Sequence, residues 1–235
     1  MNSQWQIDLF TGLDSAESMQ DVLDVTLKTT STFGFESAGW RTELPLPMSR
    51  KRTLALNTVE DDVVEKHASG GYDNAPVPLH CSRSIEPIYW LGTMNDEMYA
   101  KVPDLCDEYY GWGHYGGWAQ SFIASQSSFS MFWLDTPAPL SQKDIDNVYF
   151  KLNFISTIVL TRMNQVQTQK DIKLSMREKE VLRWSGDGKT ADQIGKILSI
   201  SCSTVNFHLR NAMYKLDAPN KTNAIVKAIC LGLLY

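Results

Sequence analysis

The sequence predicts an α+β chain in two parts, a mixed region of helices and strands followed by an all-helical module, and three observations carry that expectation. Hydrophobic spacing alternates between helical and strand periods before residue 142, whereas from there onward it is helical throughout. Two capping boxes, Ser175 with Glu178 and Thr190 with Gln193, open helices in the last quarter of the chain. Charge divides at the same place: from Leu174 onward nine Lys and Arg outnumber five Asp and Glu, while residues 1–173 hold 13 against 22. The net charge of −5 therefore conceals a basic module of +4 behind an acidic region of −9.

The 235 residues, 43% apolar and 11% aromatic, suffice for two modest domains with cores of their own. No apolar run approaches the roughly 18 residues that span a bilayer, and the start Met1-Asn2-Ser3-Gln4 has neither the basic nor the apolar region of a signal peptide. No membrane partner and a cytoplasmic location are expected. Cys81, Cys106, Cys202 and Cys230 are scattered without a CxxC pair, which predicts reduced thiols and no metal site. His67, His80, His114 and the cysteines lack the spacing of an acid–base or nucleophilic set, so neither catalysis nor a cofactor is expected. A phospho-accepting receiver domain finds no support either, because Asp61 and Asp62 follow no apolar strand and alternating βα units are missing.

Taken in order, Asp14 to Phe33 carries Met19, Val22, Leu23, Val25 and Leu27 among polar residues and ends at Gly34, which predicts an amphipathic helix with a glycine stop. Ser37 to Leu46 and Thr53 to Thr58 read as hairpin strands about the basic turn Arg50-Lys51-Arg52. Asp61 to His67 fits a short helix, after which Gly70, Gly71 and the prolines Pro76, Pro78 and Pro87 predict a long loop. Ile88 to Trp90 resumes strand character, Asp96 to Tyr110 is helical, and strands follow at Ala119 to Ala124 and Ser128 to Asp135. Ile145, Val148, Leu152, Ile155 and Val159 place one long helix over Gln142 to Gln169.

In the last quarter, Ser175 starts a helix that carries Val181, Leu182 and Trp184 to the stop at Gly186 and Gly188. Thr190 opens a second with Ile194, Ile197 and Leu198 on one side, and Ser201 caps a third after a short polar connection. The third helix buries Val205, Leu209, Ala212, Met213 and Leu216 and turns Ser203, Thr204, Phe207, Arg210, Asn211 and Tyr214 outward, with Asn206 at the border. That outward face carries donors and a guanidinium but no carboxylate, which suits a major groove rich in acceptors and flanked by phosphates. A last helix capped by Asn220 or Thr222 presents Ile225, Ala228, Ile229 and Leu233 at helical spacing.

The run Leu174 to Leu182, with Gly188-Lys189-Thr190, Ile194-Gly195, Thr204-Val205, Phe207-His208, Asn211-Ala212, Lys215-Leu216 and Ala228 to Leu233, resembles the LuxR/GerE helix-turn-helix. The resemblance implies a four-helix domain over 174–235 whose third helix enters the major groove of double-stranded DNA and whose last helix dimerises through Ile225, Ala228 and Ile229. Ser203, Asn206, Arg210 and Asn211 would face the groove, and Lys189, Thr190, Ser201, Thr204, Lys215 and Lys221 the phosphates. Gly34-Phe35, Pro87 to Trp90 and Gly113 to Trp118 are similar to the motifs of acyl-homoserine-lactone-binding domains. This implies an α-β-α sandwich over 1–163 that binds a ligand and helps dimerise the chain, joined by a linker over 164–173. Such a regulator works as a homodimer, with a ligand or a partner protein fixing two reading helices about one helical turn of DNA apart, and contacts RNA polymerase if it activates.

The lactone-reading pattern of that family is a Trp, a Tyr four residues later and an Asp before a Pro. Aligned through Pro76 and Trp90, the Asp position holds Ala75; aligned through Tyr72, the Trp and Tyr positions hold Val63 and His67, and without a gap Asp62 and Lys66. Carboxylate and indole are both absent, and a pocket loses affinity steeply when a ligand's polar groups are buried unpaired. The expectation is an orphan receptor that does not use simple acyl-homoserine lactones; the alternative is the conventional lactone-dependent activator. Tyr72, Trp90, Trp112, Trp118, Phe129 and Trp133 either line a pocket for another apolar ligand or fill it.

Overall fold

The computed structural model describes residues 4–44, 52–58, 61–125, 128–168 and 172–234. These fall into two units, Met1–Gln167 and Thr168–Tyr235. The middle layer of the first is an antiparallel sheet of β1 (Ser37–Leu44), β2 (Arg52–Asn57), β3 (Ile88–Trp90), β4 (Gly117–Ser125) and β5 (Ser128–Asp135) in the order β2-β1-β5-β4-β3. Successive side chains of a strand leave on opposite faces, so the register decides what each residue meets. Trp40 pairs with Phe132 and Trp118 with Leu134 on one face, while Gly39 pairs with Trp133 and Arg41 with Met131 on the other.

The first face packs on α1 (Gln4–Ser15), α2 (Met19–Thr30) and α7 (Gln142–Thr168). Ala38, Trp40, Phe132 and Leu134 meet Leu9, Leu13, Val22, Leu23, Leu152, Ile155 and Val159 there. The second face carries Ala119, Phe129, Met131 and Trp133 against Val63 of α3 (Asp61–Ser69), Cys81 of α4 (Pro76–Cys81) and Leu105 and Tyr109 of α6 (Pro103–Gly111), which follows α5 (Glu97–Lys101). Two apolar clusters on a single sheet make the expected α-β-α sandwich.

Several elements differ from the sequence expectation. The single helix from Asp14 is two helices, because Ser18 caps α2 through a capping box with Asp21. The preceding α1 has its own signal in Trp5, Leu9 and Leu13, a stripe at four-residue spacing. The expected proline loop contains α4, since Pro76 stands at the first helical turn, where its missing N–H costs nothing. The expected helix Asp96 to Tyr110 is broken at Val102 by Pro103. Residues 164–168 of the expected linker continue α7, with Val166 buried, while 169–171 lie outside the described residues. Arg50, Lys51, Gln126 and Ser127 also lie outside them, and Arg52 opens β2.

The second unit consists of α8 (Met176–Gly186), α9 (Ala191–Leu198), α10 (Cys202–Lys215) and α11 (Lys221–Cys230). Both capping boxes form, Ser201 accepts from the Thr204 N–H, and Asn220 from that of Asn223. Val181, Leu182, Ile194, Val205, Leu209, Ala212, Leu216, Ala224 and Ala228 make the core. Ala228 is buried in this core and Ile225 packs against it; of the three residues expected to dimerise, Ile229 is the exposed one. Among the described residues no helix is long and apolar enough to cross a membrane, and no cluster of His, Cys, Asp and Glu could hold a metal ion.

Candidate nucleic-acid interface and aromatic cavity

The approach of α9 to α10 depends on Gly195. A Cβ there would stand 2.7 Å from the Ile200 carbonyl oxygen, so only glycine lets the connection fold back this tightly. Ser199 ends α9 in the left-handed conformation, and Ser201 begins α10 two residues later. Ser203, Asn206, Phe207, Arg210 and Tyr214 then project from one side of α10, within about one third of the helix circumference and all exposed; Tyr214 reaches 88%. Thr204, Asn211 and Lys189 are half-buried, and Lys221 lies exposed at the start of α11.

The hydroxyls of Thr190 and Ser201 are engaged as caps, and Ser201 Oγ lies 2.7 Å from both Ser203 Oγ and Thr204 Oγ1. What α9 and α10 offer an anion at these ends is their first backbone N–H groups as well as hydroxyls. Lys215 differs from the expectation. Its Nζ donates to Glu178 Oε2 at 2.8 Å, tying α10 to the capping box of α8. Burial alone would raise the Glu178 carboxyl, but bonds from Lys215 and from the Ser175 N–H outweigh it and hold the group below the ordinary carboxylate range. Lys215 is therefore a strut inside the module before it is a cation for phosphate.

In the first unit, an apolar cavity of about 80 Å³ lies between the sheet and α3, α4, α5 and α6. Of the expected pocket residues, His67, Tyr72, Ala75, Trp90 and Trp133 line it. Val63, Trp112 and Phe129 belong to the surrounding cluster without lining it. Trp118 does not belong there: the register turns it to the other face, where its Nε1 donates to Ser156 Oγ of α7 at 3.0 Å. Met131, Tyr109, Tyr110, Tyr115 and Asp135 also line the cavity and were not singled out from the sequence. The signal for Met131 and Asp135 was alternation, since they share the parity of Trp133 on β5.

Trp133 lies flat on the sheet over Gly39, whose missing side chain leaves room for the indole; an added Cβ would stand 2.6 Å from Cη2 and overlap the neighbouring ring atoms. The His67 ring lies 4.8 Å from the Trp133 ring and 4.6 Å from that of Tyr72. Tyr72 donates to Glu108, which also pairs with Lys66. Burial first, and the charge of Asp135 second, push the Tyr109 phenol well above its ordinary value, so it stays a neutral donor. Behind His67 lies Arg41 of β1, 1% exposed, which the sequence reading passed over; its only signal was a charged residue at a cavity-facing position of a strand.

Residues 173–228 match the family described as bacterial regulatory proteins, luxR family, and residues 18–162 match the autoinducer binding domain. The transcriptional activator protein AnoR of Acinetobacter nosocomialis is 29% identical over 98% of this chain and 99% of its own. SolR of Ralstonia solanacearum, also a transcriptional activator protein, is 30% identical over 97% and 98%. The crystal structure of Escherichia coli SdiA superposes with a TM-score of 0.72 at 23% identity, covering 98% of both chains, a likeness of fold.

Proposed function

The chain belongs to the luxR family of bacterial regulatory proteins, transcriptional regulators of the quorum-sensing type, and from that premise we propose that it is an orphan member whose sensor domain does not read simple acyl-homoserine lactones. It acts as a homodimer on a palindromic site in double-stranded DNA, with α10 in the major groove of each half-site. Ser203, Asn206, Arg210 and Asn211 meet base edges, and Lys189, Thr190, Ser201, Thr204 and Lys221 meet phosphates.

One observation carries the ligand reading. The wall that should present a carboxylate to a lactone amide presents Ala75, and Trp133 over Gly39 narrows the space behind it to about 80 Å³. Sites for drug-sized ligands run to about 300–1,000 Å³. At the Ala75 position a lactone amide N–H would meet a methyl group, and a long acyl chain would outgrow the enclosed space.

A thermal-shift titration of the full chain with N-octanoyl-homoserine lactone tests this, together with band shifts on a palindromic promoter fragment. A ligand at 100 times its dissociation constant stabilises the folded state by about 2.7 kcal/mol, well within reach of the assay. The expected result is no saturable shift and unchanged DNA binding, from protein that is dimeric when made without lactone. A saturable shift and lactone-dependent solubility would restore the conventional activator.

A further inference from the structure

Arg41 sets which ring nitrogen of its neighbour carries the proton. The buried guanidinium directs Nη2 to Asp73 Oδ1 at 2.7 Å and Nη1 to His67 Nδ1 at 3.3 Å, with Glu43 at 3.8 Å. A guanidinium has donors only, so His67 Nδ1 is the accepting lone pair. Burial, and then the charge of Arg41, lower the His67 pKa to about 3, which keeps the imidazole neutral. A neutral imidazole that accepts at Nδ1 carries its proton on Nε2. His67 is 3% exposed and lines the cavity, and its Nε2 is buried without a hydrogen-bond partner. Buried donors are almost always satisfied, so this one asks for an acceptor from outside the chain.

The rest of the wall narrows the class. Trp90, Tyr109, Tyr110, Tyr115 and Trp133 present aromatic surface, which favours a flat partner. An anion would meet Asp135 on the wall, and a cation would meet Arg41 behind His67. Resting on the reading of this unit as a ligand sensor, we infer that the cavity binds a compact, flat, uncharged molecule whose carbonyl-type oxygen accepts a hydrogen bond from His67 Nε2–H. Hydrogen-bond polarity at this site is then the reverse of that of a carboxylate waiting for an amide N–H: the protein donates and the ligand accepts.

The test uses the full chain with two probes of nearly equal shape, acetophenone and ethylbenzene, which differ in the carbonyl oxygen. Titrations followed by tryptophan fluorescence should give saturable acetophenone binding, about tenfold tighter than ethylbenzene. In His67→Phe that preference should fall to about one. The imidazole ¹⁵N resonances of the unmutated protein, which do not depend on a variant folding, should report the Nε2–H tautomer and shift on adding acetophenone. Equal affinity for the two probes, no binding of either, a preference that survives His67→Phe, or an Nδ1–H tautomer would each overturn the inference. Saturable binding of N-octanoyl-homoserine lactone in the same assay would overturn the orphan reading instead, while the probe comparison would still judge the His67 donor.

Discussion

The packing of Trp133 on Gly39 can be tested by a double-mutant cycle. A Cβ on Gly39 would stand 2.6 Å from Cη2 and nearer still to two other ring atoms, where carbon atoms in contact lie about 3.5–4.0 Å apart. The indole cannot swing away cheaply, because it is 4% exposed and backed by the His67 ring at 4.8 Å. Gly39→Ala should therefore destabilise the first unit by about 1–3 kcal/mol, the usual range for overpacking. Trp133→Ala should cost about 3–5 kcal/mol through lost contacts and the void left behind. In the Trp133→Ala background the clash is gone and alanine is the better strand residue by about 0.5–1 kcal/mol, so Gly39→Ala should change sign and become stabilising. The coupling energy should reach about 1.5–4 kcal/mol, against a few tenths for independent sites. Urea unfolding followed by far-ultraviolet circular dichroism measures it, and each kcal/mol should appear in a thermal scan as about 2–4 °C for a unit of this size. Additive effects of the two substitutions would refute the packing and, with it, the account of the narrowed cavity.

Other perturbations bear on the second unit. Glu178→Gln should destabilise it by about 1–2 kcal/mol at pH 7, discounted because Lys215 is 39% exposed. The folded-state pKa is depressed, so this contribution is full above the unfolded carboxylate value and is lost as pH falls through the folded one; urea midpoints of the two proteins should converge in acid. Gly195→Ala should lower the melting temperature and weaken binding to any DNA, since a Cβ 2.7 Å from the Ile200 oxygen pushes α9 off α10; Gly186→Ala, whose nearest atom would be 3.5 Å away, should do neither. Arg210→Ala should cost about 1–3 kcal/mol on a cognate site in fluorescence anisotropy and relax one base position, whereas equal loss on random DNA would make Arg210 a phosphate contact. Ile229→Asp should make DNA binding depend far more steeply on protein concentration, and an unchanged curve would remove α11 from the dimer.

The cavity ligand was harder to read than the DNA-facing helix because the two sites are encoded over different distances. Ser203, Asn206 and Arg210 share a face because α10 is a helix, and Ser201 announces where that helix starts. Ala75 was legible only through a motif. Neither periodicity nor motif pointed to Arg41, because a lone arginine in a strand reads as a solvated residue until the other layer covers it.

From the sequence alone, much of what is decided within three or four residues could be determined: both capping boxes of the second unit, its four helices and the charge split near Leu174, though the equally local box of Ser18 with Asp21 went unread. Such features express backbone hydrogen-bonding needs that a neighbouring side chain satisfies, so they survive in any context that admits a helix or strand. The tertiary structure decided the rest. It turned Trp118 toward α7 and Trp133 toward the cavity, set Arg41 against His67 across 26 residues, and spent Lys215 on Glu178 across 37. Those pairings arise from strand register and layer packing, which bring distant residues together at positions that local spacing does not mark.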